Sequence, residues 1–215
     1  MKRILYTTVL LALFRTPGLA QEVVPWEVFG GYSFQRADVR EYFISRIPVT
    51  PGGIPISQYI ARHHYVNMNG WEFSVTENVN RWFGGTLEIS GYYKSPTIGS
   101  VTTKDHIYTI LYGPRFTFPK AAGNAAPARL ISASVPFAHI LFGGAHTGAT
   151  VGPPGPHASD FSFAMDIGGG LDWPLTPNVD LRFLQLDYLR TNALQTSQNN
   201  YRATVGLVLR LGKPK

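Results

Sequence analysis

The last third of the chain restricts its possible folds more than any other stretch. Phe161, Phe163, Met165, Ile167, Gly169, Leu171 and Trp173 alternate with Ser162, Ala164, Asp166, Gly168, Gly170 and Asp172. Further on, Tyr201, Ala203, Val205, Leu207, Leu209 and Leu211 alternate with Arg202, Thr204, Gly206, Val208 and Arg210. A period of two puts the two sets on opposite faces of a strand. One set is bulky and apolar; the other is mostly small or charged. A soluble sandwich buries the apolar face and wets the polar one. A membrane barrel does the reverse, with the apolar face on lipid and the polar face in the lumen. One strand fits both, so the rest of the chain has to decide.

The same alternation recurs along the chain. Strands are expected at 26–34, 65–76, 81–93, 105–118, 129–142, 160–173, 179–190 and 201–211, an even number. Trp71, Phe73 and Val75 point one way and Glu72 and Ser74 the other. Phe83, Leu87, Ile89 and Tyr93 oppose Thr86, Glu88 and Ser90. Tyr108, Ile110, Tyr112 and Phe116 oppose Thr109, Gly113, Arg115 and Thr117. The connections sort by length. Short ones are expected at 77–80, 119–127 and 174–178, and longer ones at 35–64, 94–104, 143–159 and 191–200. Short turns at one end and long loops at the other are the asymmetry of bacterial outer-membrane barrels. The expected fold is therefore all-β, an eight-stranded antiparallel up-and-down transmembrane barrel.

Composition agrees. Charged residues make up only 15% and aromatics 13% of the chain, as expected where much of the surface never meets water. There is no cysteine, which excludes disulfides and thiolate chemistry. Residues 1–20 read as a signal peptide: Lys2 and Arg3, an apolar run from Ile4 to Phe14, then Gly18-Leu19-Ala20 before Gln21. The barrel domain is then 21–215. The net charge of +6 includes Lys2, Arg3 and Arg15 of the leader, so the remainder carries +3 (6 − 3), which does not argue for nucleic acid. No segment is long and apolar enough to span a bilayer as a helix, so a membrane protein built from this chain must be a closed barrel.

Aromatic placement marks two interfaces. Trp26, Trp82 and Trp173 fall at the short-turn end. Tyr32, Tyr93, Tyr108, Tyr188 and Tyr201 fall at the long-loop end. Such girdles suit the two membrane–water boundaries.

The whole mature chain resembles the small eight-stranded outer-membrane β-barrels, the OmpA-like transmembrane barrels. The resemblance rests on Tyr112-Gly113-Pro114-Arg115, Pro136-Phe137-Ala138-His139, Gly143-Gly144-Ala145-His146, Gly168-Gly169-Gly170-Leu171-Asp172 and Asp187-Tyr188-Leu189-Arg190-Thr191. It implies a structural membrane role and carries over no catalytic residue. Such barrels usually end on an aromatic residue read by the assembly machinery, whereas this chain ends Leu211-Gly212-Lys213-Pro214-Lys215.

On the inward faces, Glu72, Glu88, Asp166 and Asp187 meet Arg115, Arg182, Arg202 and Arg210. An eight-stranded barrel is only wide enough for side chains to fill it, and buried charges must pair. These residues are expected to form a salt-bridge network that fills the lumen. Sharper chemistry finds little support. Glycines 168–170 sit in a strand with no following helix, so close backbone packing fits them better than phosphate binding. The six histidines are scattered and give no metal site. His139 with Ser132 or Ser134 is the one candidate for lipid hydrolysis or acyl transfer, without a matching motif.

The expected function is thus a structural and interaction barrel of the bacterial outer membrane, with no enzymatic activity and no cofactor. Its partners would be outer-membrane lipid, the assembly machinery and an unidentified extracellular partner, with the barrel acting as a monomer. The alternatives are a narrow small-solute pore or a lipid-modifying enzyme. One local feature remains. Ile131, Ala133 and Val135 share a phase that would send His139 into lipid, so a β-bulge at Pro136 is expected to turn His139 inward.

Overall fold

A chain that alternates bulky apolar and small or polar residues can hide its backbone groups in lipid only by closing its sheet on itself. The computed structural model shows that closure. It describes residues 24–47, 56–95, 97–98, 101–118, 134–151, 157–192 and 197–212. The strands are β1 (Trp26–Ile47), β2 (Ile56–Asn78), β3 (Phe83–Lys94), β4 (Thr97–Ile98), β5 (Val101–Thr117), β6 (Val135–Val151), β7 (His157–Thr176), β8 (Val179–Thr191) and β9 (Gln198–Leu211). All pairings are antiparallel between chain neighbours, and two contacts complete the ring. β1 pairs with β9, placing Gly30 opposite Leu207, and β3 pairs with β5 across the two-residue β4. Eight long strands thus make one up-and-down barrel.

The turns at one end have visible causes. Asn80 Oδ1 accepts from the backbone N–H groups of Trp82 and Phe83 at 3.0 and 2.9 Å, an Asx-type device that reverses the chain between β2 and β3. Pro177 and Asn178 reverse it between β7 and β8. The opposite end differs from expectation. The segments 35–64 and 143–159, expected as loops, are largely strand. Residues 37–47 and 56–66 pair only with each other among the described residues. They form a two-stranded ribbon roughly 35 Å long, whose base at Ala37 and Val66 is still packed against Tyr92 and Ile107. Period-two alternation is legible as apolar against polar, and outside the membrane that contrast fades although pairing continues. At the turn end, the described part of β6 begins at Val135, and the expected connection 119–127 and the expected strand start at 129–133 lie outside the described residues.

The expected bulge at Pro136 is absent. β6 pairs with β7 in unbroken register from Val135↔Asp172 to Thr150↔His157. His139 nonetheless faces the lumen, 3% exposed. The inward phase is simply Phe137, His139, Leu141, with Ile140 and Phe142 outside. Ile131 and Ala133, which suggested the opposite phase, lie outside the described residues. Pro136 is tolerated because it sits at the strand's beginning; its carbonyl still accepts from Phe118 N–H at 2.8 Å.

A real irregularity lies in β8. Asp172 pairs with Arg182 but Leu171 pairs with Leu184, and the ladder to β9 shifts between Arg182 and Gln185. The extra residue changes the inward set from Asp180 and Arg182 to Gln185, Asp187 and Leu189.

Gly113 permits a close approach of β5 to β6. A Cβ there would collide with the Ile140 carbonyl and press on Leu141 Cα, both backbone. Gly113→Ala is therefore expected to cost roughly 1–3 kcal/mol, read as a lower denaturant midpoint for the folded barrel.

Candidate functional site

The lumen holds the chemistry of this barrel. Period-two alternation brings one face of every strand inside, and the register decides which inward residues meet. Asp172 lies opposite Arg182, Asp187 opposite Arg202 and Glu27 opposite Arg210. From these cross-strand pairs a two-tiered network grows.

The tier nearer the short turns is built on Arg115 and Arg182. Arg115 spans the lumen, donating Nη1 to Glu27 Oε2 at 2.8 Å and Nη2 to Asp172 Oδ2 at 2.9 Å. Arg182 reaches Asp172 with Nε at 2.8 Å and Nη2 at 3.1 Å, a two-pronged contact. The Phe137 ring lies between the two guanidiniums, each 4.2 Å from its centre, and Phe29 lies 4.2 Å from Arg182. Aromatic faces carry partial negative charge, so they can stack on guanidiniums that have been taken out of water. Two carboxylates, Glu27 and Asp172, balance two guanidiniums.

The second tier is built on Arg202. Its Nη1 lies 2.8 Å from Glu88 Oε1, its Nη2 pairs with Asp166 Oδ2, and Asp187 Oδ2 is 3.5 Å away. His139 Nε2 lies 3.1 Å from Asp187 Oδ1. Gln185 bridges the tiers. It accepts from Arg182 at 2.8 Å and donates to both Glu72 and Asp187 at 2.9 Å. Thr204 donates to Glu72 at 3.1 Å. Arg202 is one of the largest fully buried side chains. One pleat further from the short turns, Leu111, Leu141, Ala145, Ala164 and Leu189 form an apolar layer inside the barrel. The lumen is thus not purely polar: an apolar cluster on the β5–β8 side adjoins the charged tier.

The expected lumen residues Glu72, Glu88, Arg115, Asp166, Arg182, Asp187 and Arg202 are all buried inside. Arg210 sits at the rim, paired with Asp180 Oδ2 at 2.5 Å and with its side chain 24% exposed. Glu27, Asp172, Asp180 and Gln185 belong to the same network but were not foreseen in it. Asp172 could have been, because it shares the phase of Asp166. Gln185 is legible in the same way, because it shares the phase of Asp187. Ser132 lies outside the described residues. Ser134 precedes His139 by five residues, roughly 16 Å of extended chain, so the two do not form a nucleophile–base pair.

The outer face carries the aromatic belts. Trp26 and Trp82 are exposed near the short turns, with Trp173 half-buried beside them. Near the other end, Tyr32 OH donates to Asn69 at 2.6 Å and Tyr188 OH to Asn199 at 2.6 Å. Tyr93 and Tyr108 meet edge to face, and the Tyr188 ring lies 5.7 Å from that of Tyr201. Between the belts the exposed side chains are apolar: Phe73, Leu87, Ile110, Ile140, Ile167, Leu186 and Leu207. An apolar ring this continuous suits hydrocarbon rather than water.

No protein-family model matches the sequence, and no curated protein matches it. Solved structures do match. Neisserial surface protein A, NspA, aligns over 86% of this chain and 97% of its own, at 14% identity and a TM-score of 0.56. Ail, the attachment invasion locus protein of Yersinia pestis, crystallised with the heparin analogue sucrose octasulfate, aligns over 87% of this chain and 100% of its own, at 13% identity and a TM-score of 0.51. The chain has the fold of these small bacterial outer-membrane barrels, and its apolar band suits that membrane.

Proposed function

We propose that this protein is a structural and interaction barrel of the outer membrane, whose lumen is plugged and whose β1–β2 ribbon is presented outside the cell. The observation that supports it best is the lumen network. Arg115 and Arg202 each span the barrel interior, pairing with carboxylates from other strands, and Leu111, Leu141 and Leu189 adjoin the charged tier. Opening a water path would break several charge pairs at once, and breaking a buried pair is strongly unfavourable. A narrow pore is the alternative that this arrangement disfavours. A lipid-modifying enzyme is disfavoured by the separation of Ser134 from His139. Among the described residues the ladder beyond Asp38, which still bonds Asn199 and Asn200 on β9, runs only between the ribbon's own two strands, and such edges can take up a partner strand. The closed ring below it leaves no such edge within the membrane, which favours a monomer there.

Single-channel recording on purified, refolded protein in planar bilayers tests the reading. The expected record is free of discrete conductance steps. Reproducible unitary steps from barrels verified as folded on unboiled gels would replace the plug with a pore.

A further inference from the structure

The tier around Arg202 is not balanced. Glu88, Asp166 and Asp187 bring three carboxylates to one guanidinium, and Glu72, held by Gln185 and Thr204, adds a fourth beside them. The tier below, with Glu27 and Asp172 against Arg115 and Arg182, sums to zero. Uncompensated charge in a desolvated interior is costly. The excess is therefore local, and it lies where one imidazole also points.

One ligand atom each from Glu88, His139 and Asp166 lies within 4.8 Å of the other two. All three residues are buried, at 1%, 3% and 0% exposure. Asp166 Oδ1 accepts no hydrogen bond, and its ion pair with Arg202 uses Oδ2. Glu88 Oε1 and His139 Nε2 also make no hydrogen bond, although each has an ionic neighbour, Arg202 and Asp187 respectively. Buried polar atoms left in this state need an explanation, and an ion is one of the few available.

We propose that Glu88, His139 and Asp166 form a binding site for one divalent transition-metal ion. One imidazole and two carboxylates suit zinc and its first-row neighbours, whereas magnesium and calcium prefer oxygen alone. The two charges of the ion offset the local excess. Metal–ligand bonds of about 2.1 Å in a tetrahedral site place ligand atoms about 3.4 Å apart, so the three side chains would close modestly around the ion. Asp187 Oδ1 lies 3.1 Å from His139 Nε2 but outside this three-ligand cluster, which leaves the fourth position to water. The ligands come from β3, β6 and β7, so the ion would tie β3 to the β6–β7 pair, with which it shares no ladder. The proposal is independent of whether the barrel conducts.

The test uses the full mature chain, unfolded in urea with a chelator, then refolded in detergent with Zn²⁺ and freed of loose metal by gel filtration. Metal is counted by mass spectrometry and folding is checked on unboiled gels. The expected result is one zinc per folded barrel, falling at least tenfold in His139→Gln and Asp166→Asn. Folded wild type that retains no zinc, or folded variants that retain as much as wild type, would overturn the proposal. If the variants fail to fold, X-ray absorption of cobalt-loaded wild type decides. A single imidazole in an oxygen-rich shell is expected. Two or more imidazoles would assign the metal elsewhere, for instance to His106 and His146, whose rings lie 5.9 Å apart, and would also overturn it.

Discussion

Replacing Arg202 with Met is expected to destabilise the folded barrel by about 3–5 kcal/mol, the cost of removing one partner from a buried ion network. Arg202 is the only guanidinium in contact with Glu88, Asp166 and Asp187 among the described residues. All three carboxylates are inaccessible to water in the folded barrel. Without Arg202 they face one another with no cation in direct contact among the described residues and no access to solvent. Met keeps much of the volume, so the loss would report charge rather than a cavity. The measurement is reversible guanidinium unfolding in phospholipid vesicles, followed by tryptophan fluorescence. Arg190→Gln is the control. Arg190 is exposed and donates to Ser197 Oγ at 2.8 Å, so its loss should stay within about 0.5 kcal/mol. An Arg202→Met variant within 1 kcal/mol of wild type would mean that the network does not hold the barrel together. Adding Glu88→Gln to Arg202→Met should recover part of the loss, because one uncompensated charge goes with it.

The barrel was readable because the membrane makes the alternation extreme. Lipid requires a bulky apolar residue at every second position, so Phe161 through Trp173 and Tyr201 through Leu211 could be assigned by phase alone. The even strand number, the closure and the inward charges followed from the same contrast. What could not be read lies where lipid stops. Residues 37–47 and 56–66 pair as strands, yet their apolar phase is broken by Glu41, Ser45, Gln58, Arg62 and His64, so the pattern resembles a loop.

The lumen was partly readable for a different reason. Parity alone makes Arg182 and Asp187 incompatible on one face of a regular strand, since they are an odd number of residues apart. Placing both in the lumen therefore demanded an extra residue between them, and the adjacent apolar pair Phe183-Leu184 is where it lies. The missing N–H of Pro136 and the phase of Ile131, Ala133 and Val135 point instead to a bulge at Pro136. A proline at the start of a strand needs no bulge, because the register there has not yet committed its donor. The identity of the pairs was out of reach. Arg115 could be placed inside from its phase, but its reach across to Glu27 depends on the barrel's diameter and on the stagger between strands. The meeting of Glu88, His139 and Asp166, which are far apart in sequence, is likewise a product of closure.

Leu207→Arg should cost about 2–4 kcal/mol, the penalty for a cation on the lipid face near the bilayer midplane. The depth follows from the strand. The outward residues of β9 run from Tyr201, in the aromatic belt beside Tyr188, to Leu211, which pairs with Trp26 in the opposite belt. Leu207 lies between, opposite Gly30 on β1 and Leu181 on β8. Its side chain is 48% exposed, so substitution disturbs no packed interior, and the loss measures hydrocarbon alone. Leu211→Arg has the same chemistry, the same outward direction and 48% exposure. At the interface it should cost no more than about 1 kcal/mol. The contrast between the two, read from unfolding in vesicles, separates a lipid band from an ordinary apolar patch. In a protein whose outer face meets water, both arginines would be solvated equally and the two costs would be the same. Equal costs would thus overturn the transmembrane assignment of β9 even with the barrel intact.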